Sequence, residues 1–105
     1  MSVLTVYAVF ADADEAARIA KVVVYERLAA CANIMSPCHS VYRWSGEVQE
    51  ANEVPALFKT TAAKADALIM RIVELHSYDL PAVVAWPIER LSAPFGDWVE
   101  RSVKG

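Results

Sequence analysis

The chain has 105 residues, of which 56% are hydrophobic and 22% are charged. A chain of this length builds one hydrophobic core, so we expect a single domain over residues 1–105. The apolar content excludes intrinsic disorder. Its 10 basic and 13 acidic residues give a formal net charge of −3. Because phosphate-backbone binding needs a basic surface, we expect no nucleic-acid partner.

The cellular location is predicted from three further features. No apolar run reaches the roughly 18 residues of a membrane span, and residues 1–5 lack the basic region of a secretory signal. The two cysteines, Cys31 and Cys38, are too few for a disulfide framework. We therefore expect no membrane span and a reducing, cytoplasmic location.

The first 28 residues predict a buried strand followed by a helix. Residues Val3–Phe10 are apolar on both faces apart from Thr5, as in a strand that is covered on both sides. Asp12 and Glu15 have the spacing of a capping box, which predicts a helix start. Apolar residues then recur at helical spacing: Ala16, Ile19, Ala20, Val23, Val24 and Leu28.

Two long extended segments follow and predict a hairpin. The first covers residues 29–44 and is interrupted at Pro37, where a bulge or an edge position is expected because proline cannot donate a ladder hydrogen bond. Ser45 and Gly46 supply the tight turn, and residues 47–60 form the second arm. An arm of about 14 residues spans roughly 45 Å. The hairpin should therefore project from a domain whose expected radius of gyration is about 13 Å.

The remaining residues predict a helix, a strand and a short last helix. Thr61 opens the second helix, residues 82–88 form a strand, and Pro94 lies at the start of the last helix. The second helix carries an apolar stripe: Ala65, Leu68, Ile69, Ile72 and Val73. The order β-α-β-β-α-β plus a terminal helix predicts an α+β, ferredoxin-like fold, which supports many unrelated functions.

The projecting hairpin predicts self-association. Aromatic residues near its tip and long unpaired strand edges are liabilities for a monomer, so we expect another subunit to cover them. Tyr42, Trp44 and Trp86 are the expected interface anchors, because aromatic side chains are common at subunit contacts. The alternative is a bent hairpin that folds back on its own sheet.

Several blocks of the sequence resemble the CutA divalent-cation tolerance family. Residues 26–34 (ERLAACANI) resemble its ERLAACxNI block, and residues 40–48 (SVYRWSGEV) are similar to its SxYxWxGxI hairpin tip. Residues 53–60 resemble its second arm, and residues 76–81 (HSYDLP) resemble its HPYExP loop. The resemblance implies a homotrimer that is similar to PII signalling proteins. It also implies a role in tolerance of copper and other divalent metals without an assigned reaction.

The chain departs from the family pattern in three places. Ser77 stands where the family usually has proline, which predicts a looser loop, and Pro55 lies where an aliphatic residue is usual, which predicts a bulge or an edge position. Some members use a cysteine and two histidines as copper ligands. Those positions hold Ala8, Leu75 and His76 here, so only His76 matches.

Four side chains are candidate metal ligands, because copper favours thiolate and imidazole groups: Cys31, Cys38, His39 and His76. The two cysteines face opposite ways in an unbroken strand, and a bulge at Pro37 would bring them into phase. The alternatives are a buried apolar role for Cys31 and an ordinary surface bend for Cys38 and His39. For His76 the alternative is a favourable charge at a helix end.

A second candidate set consists of Lys59, Tyr78 and Asp79. An ammonium, a phenol and a carboxylate together suit a small polar ligand or a hard cation, and in the family the loop of residues 76–81 helps to line a cleft near subunit contacts. The alternative is a hydrogen-bond network that locks the trimer. No nucleophile–base pair or glycine-rich phosphate loop is present, so we expect no catalysis.

Two functional hypotheses follow. The leading one is a homotrimeric, non-enzymatic protein of divalent-metal response, with weak or conditional binding of Cu²⁺ or another divalent cation as its only cofactor. The alternative is a PII-like signalling or scaffold module whose intersubunit cleft binds a small ligand.

Overall fold

In the computed structural model, which describes residues 2–105, the chain alternates between strands and helices in the predicted order. The elements are β1 (Val3–Phe10), α1 (Ala13–Tyr25), β2 (Cys31–Ile34), β3 (Cys38–Trp44), β4 (Glu47–Thr61), α2 (Ala62–Leu75), β5 (Val83–Pro87) and α3 (Ala93–Val103). The antiparallel sheet has the order β2-β4-β1-β5, and β3 pairs with β4. This is the ferredoxin-like arrangement when β2 and β3 count as one interrupted strand, so the predicted α+β fold is confirmed.

Helix α1 begins and ends through local hydrogen bonds. Asp12 Oδ1 accepts the Glu15 N–H at 2.8 Å, which is the predicted cap. At the other end, Arg27 has a φ of 61°, and the Leu28 N–H donates to the Val23 carbonyl at 3.0 Å. This bond closes a Schellman motif, so the helix ends at Tyr25. The predicted apolar stripe is therefore wrong at Leu28, which lies beyond the helix.

The core lies between α1, α2 and one face of the sheet. Its buried members include Val6, Ala8, Phe10, Ile19, Val23, Ala56, Phe58, Leu68 and Ile72. On β4 the even-numbered residues Ala56 and Phe58 face the helices. Leu57 and Lys59 consequently point to the opposite side of the sheet, which we call the open face. On neighbouring strands Tyr7 and Trp86 lie on the same face, with their ring centroids 6.2 Å apart.

The first hairpin arm contains a bulge. Ile34 pairs with Ala56 and Cys38 pairs with Glu53, so three residues of this arm oppose two residues of β4. The bulge predicted at Pro37 is thereby confirmed.

Pro55 lies on β4 opposite the same irregularity. It keeps its register with Val9 of β1, and its carbonyl accepts the Met35 N–H at 2.9 Å. Because the nitrogen and carbonyl of a strand residue point to the same edge, the ring nitrogen faces the bulge. Proline lacks a backbone N–H, and at Pro55 this N–H would point to the bulge, where the hydrogen-bond ladder is already interrupted. The bulge expected at Pro55 therefore lies in the first hairpin arm instead.

The hairpin projects from the rest of the subunit. The molecule measures 45 × 25 × 22 Å, with a radius of gyration of 14.2 Å. Ser45 (φ 52°) and Gly46 (φ 80°) form the predicted two-residue turn, with positive φ at both positions as a type I′ turn requires. Within the described chain β3 pairs only with β4.

Candidate functional site

A cleft of about 670 Å³ lies between the hairpin and the loop that follows α2. We call it the hairpin cleft. The hairpin contributes Ser40, Tyr42, Trp44, Gln49 and Glu53, the loop contributes Ser77, Tyr78, Asp79, Leu80 and Ala82, and β1 contributes Val9.

The bulge decides which hairpin residues line the cleft. Tyr42 pairs with Gln49, so its side chain lies on the odd-numbered face of β4, which continues the open face of the sheet. Without the extra residue Tyr42 would pair with Val48 and point to the helix side, because a slip of one residue inverts every side chain of a strand. The bulge therefore places both Tyr42 and Trp44 at the cleft.

His76 fixes the start of the loop. It caps α2, is buried, and stacks on Phe10 with ring centroids 5.1 Å apart. Its Nε2 lies 2.7 Å from the Val9 carbonyl, and its Nδ1 accepts the Tyr78 N–H at 3.0 Å. A carbonyl can only accept, so Nε2 carries the proton and the imidazole is neutral in this arrangement. Neither ring nitrogen has a lone pair left for a metal ion.

Glu15 holds the same loop from α1. Its Oε2 accepts the Ser77 N–H at 2.9 Å and its Oε1 accepts the Ala11 N–H at 3.0 Å. Burial raises the pKa of Glu15, but the hydrogen bonds from Ser77 and Ala11 outweigh it, so the pKa lies below its ordinary value of 4.5. The departure at Ser77 is thus compensated, because serine supplies the N–H that proline lacks.

Tyr78 connects the loop to the hairpin. Its hydroxyl donates to Glu53 Oε2 at 2.8 Å. Burial, the hydrogen bond to Glu53 and the nearby negative charge together raise the pKa of Tyr78 to about 12. The sequence predicts a capping-box role for Glu15, and for Glu53 a place on a solvated acidic edge with Glu47 and Glu50 that is suited at most to weak metal binding. Neither pattern indicates the contacts with Ser77 and Tyr78.

The four predicted metal ligands lie apart. The bulge does bring Cys31 and Cys38 into phase, but their partners on β4 are Lys59 and Glu53. Six residues of strand separate those partners, or roughly 20 Å at about 3.3 Å per residue. His39 lies on the other face of the hairpin. In residues 2–105 no three His, Cys, Asp or Glu side chains come together as a metal site.

His39 has its own polar partners. Its Nε2 lies 2.6 Å from Glu50 Oε1, and its Nδ1 lies 3.4 Å from Asn52 Oδ1. Both residues of the closer pair are more than half exposed. An imidazole and a carboxylate therefore face each other in solvent, on the face of the hairpin opposite the cleft.

The second candidate set is only partly assembled. Tyr78 and Asp79 line the hairpin cleft. Lys59 lies in the middle of the open face, where its neighbours across the strands are Thr5 and Cys31. Trp86 also pairs with Thr5, so it lies on the open face with 45% of its surface exposed.

Comparisons with known proteins agree with this architecture. A family model for the CutA1 divalent ion tolerance protein matches residues 4–102. The divalent-cation tolerance protein CutA of Thermus thermophilus is 44% identical over 90 residues, which cover 85% of this chain and 87% of that protein. The crystal structure of CutA from Xylella fastidiosa has a TM-score of 0.96 and 31% identity, and the match covers 99% of this chain and 100% of that one.

A second solved structure resembles the chain equally closely. The periplasmic divalent cation tolerance protein CutA from Archaeoglobus fulgidus has a TM-score of 0.94 and 34% identity, with 97% of this chain and 99% of that chain covered. None of the helices in residues 2–105 is long and apolar enough to cross a membrane. The sequence blocks, the fold and these relatives lead to one conclusion: the chain belongs to the CutA1 family of divalent ion tolerance proteins.

Proposed function

We propose that the protein acts in divalent-cation tolerance as a homotrimer, without catalysis and without a metal centre inside one subunit. The observation that carries the proposal is the open face of the sheet. Val84 and Trp86 are 51% and 45% exposed there, and Tyr7 and Leu57 lie beside them. An apolar face of this kind marks an interaction site. Closed assembly of identical subunits buries these four side chains, and the family resemblance favours three copies.

The assembly is tested by placing a charge on each of two exposed apolar sites. In Val84→Asp the charge falls on the open face, whereas in Met70→Asp it falls on α2, where the residue is 72% exposed. Sedimentation velocity should give the wild type and Met70→Asp a mass three times the 11.6 kDa of one chain. Val84→Asp should give smaller species. A monomeric wild type would contradict the proposal.

Weak metal binding is best supported at His39 and Glu50. Imidazole and carboxylate groups are common ligands of divalent transition metals, and these two approach within 2.6 Å in solvent. Two protein ligands give only weak binding. The partners of His39 are exposed side chains, whereas buried His76 binds backbone groups with both ring nitrogens and so holds the loop.

The metal contact is tested by titrating Cu²⁺ into the wild type, His39→Ala and Cys38→Ser by calorimetry. Cys38 is the matched control, because it is the adjacent soft ligand and points to the opposite face. We expect His39→Ala to remove the binding heat and Cys38→Ser to leave it unchanged. Equal titration curves for the wild type and His39→Ala would exclude His39 as a ligand.

A second candidate function is a PII-like module that binds a small ligand in the hairpin cleft. The volume of about 670 Å³ favours it, since small-molecule sites typically measure about 300–1,000 Å³. Native mass spectrometry of protein purified without added ligand should show a bound small molecule in the wild type. That molecule should be absent from Ser40→Trp, which fills the cleft. Equal masses of bare protein in both samples would speak against this function.

The cytoplasmic location remains a prediction from the sequence. The relative from Archaeoglobus fulgidus is described as periplasmic. Cell fractionation with compartment markers tests the prediction, and recovery with the periplasmic marker would contradict it.

A further inference from the structure

The hairpin cleft combines acidic and aromatic side chains. Two of its lining residues, Glu53 and Asp79, carry carboxylates, and three others, Tyr42, Trp44 and Tyr78, carry aromatic rings. None of the lining residues is basic. The ion pairs found within residues 2–105 involve other acids, so neither Glu53 nor Asp79 has a cationic partner from the described chain.

We propose that the hairpin cleft binds a small organic cation, an amine or alkylammonium compound, between its aromatic rings and its two carboxylates. Aromatic faces attract cations through the ring quadrupole, and this attraction strengthens when water is partly excluded. Carboxylates add Coulomb attraction at the same place. The inference deepens the small-ligand function proposed above and rests on it.

The geometry of Glu53 fits this role. Its Oε2 accepts the Tyr78 hydroxyl, which orients the carboxylate toward the loop side of the cleft. No hydrogen bond to its Oε1 is found in the described chain, and Glu53 lines the cleft. Asp79 lies on the loop wall, so a ligand between the walls meets a carboxylate from each side.

Other ligand classes fit less well. A phosphate-bearing ligand needs basic side chains, and these walls have none while carrying two negative charges. A divalent metal needs several nitrogen or oxygen ligands that converge at about 2.0–2.6 Å. The described residues provide no such group. The rings and the apolar side chains of Val9 and Leu80 suit the methyl groups of an alkylammonium ion instead.

The test is calorimetric titration of the full chain with choline as the probe. Its uncharged carbon isostere, dimethylbutanol, has nearly the same shape and measures what charge contributes. We expect choline to bind at least about tenfold more tightly than the isostere, since a desolvated cation over an aromatic ring gains enough for that ratio. Addition of Cu²⁺ before the choline titration should leave the affinity for choline unchanged.

Variants locate the binding at the cleft. Glu53→Gln keeps an acceptor for the Tyr78 hydroxyl but removes the charge, and it should weaken choline binding at least about tenfold. Glu74→Gln is the control, because it removes one charge from an exposed position of α2, on the helix side of the sheet. It should leave choline affinity within about twofold, because that charge lies outside the cleft.

Three results would overturn the proposal: equal binding of choline and dimethylbutanol, no binding of choline, or equal effects of the two glutamine variants. Sedimentation of the same samples separates the causes. A trimer that ignores choline refutes only the ligand class, whereas a monomer refutes the assembly. Equal binding of the two probes leaves a small-ligand cleft in place but removes its preference for cations.

Discussion

The two halves of β4 lie in opposite environments although they form one continuous strand. Residues 54–61 are largely buried between the helices and the neighbouring strands, whereas residues 47–50 are exposed throughout. Val54 is 5% exposed and Val48, on the same side of the strand, is 62% exposed. The buried half stabilises the subunit, and the projecting half is available for contacts with another subunit or a ligand. The comparison shows that strand length alone does not produce burial, because two helices cover only part of a 15-residue strand.

The largest expected effect lies in the buried half. Phe58 is fully buried and packs edge-on against Phe10, with ring centroids 6.3 Å apart. Phe58→Ala should lower the free energy of unfolding by about 3–5 kcal/mol, because it leaves a cavity that the core cannot fill. Urea unfolding at fixed protein concentration measures it, and a loss below about 1 kcal/mol would mean that this half is not the core.

The second largest effect is expected at Glu15, which holds the loop after α2 opposite the projecting half of β4. Glu15→Gln should lower the free energy of unfolding by about 2–3 kcal/mol, because two hydrogen bonds to a charged acceptor are weakened or lost. The pKa of Glu15 is lowered in the folded state, so its charge stabilises the protein fully above the ordinary pKa of 4.5. That contribution falls as the pH drops from 4.5 and is lost below the folded-state pKa.

The pH dependence supplies the control for this prediction. Unfolding measured from neutral to acidic pH should show a shallower loss of stability in Glu15→Gln than in the wild type. Parallel curves for the two proteins would show that the carboxylate does not contribute through its charge.

A matched pair of valines compares the two halves directly. Val54→Ala should cost about 2 kcal/mol, since two buried methyl groups are removed. Val48→Ala should stay within about 0.5 kcal/mol, as expected for an exposed position. Thermal and urea unfolding of both variants measure the difference. Similar losses of stability would show that the projecting half is as tightly packed in solution as the buried half.

The smallest effects lie at the hairpin turn. Gly46 has a φ of 80°, and a Cβ built there meets no atom within 4 Å, so Gly46→Ala costs only backbone strain of about 1 kcal/mol. Ser45→Asn should have the opposite sign and about half that size, because asparagine tolerates positive φ better than serine does. Hydrogen exchange of the hairpin amides reports both changes, and equal signs would contradict the type I′ assignment.

Much of the fold could be predicted because its signals are local. The continuous apolar run of residues 3–10, the capping box of Asp12 and Glu15, and the turn at Ser45 and Gly46 each depend on neighbours within a few positions. The sequence blocks also led to the correct family. The end of α1 was less predictable, because Arg27 adopts the left-handed conformation that glycine usually supplies.

The site itself depended on tertiary structure. The sequence by itself determined the order of the elements and the long hairpin, since both follow from short-range spacing, and the resemblance of its motifs indicated the family. Only the fold decided that a bulge turns Tyr42 toward the cleft, and that Glu15 reaches Ser77, 62 positions away. Only the fold decided that both ring nitrogens of His76 are hydrogen-bonded to backbone groups. The physical reason is that strand register and long-range hydrogen bonds are set by which segments pack together, and a shift of one residue reverses every side chain.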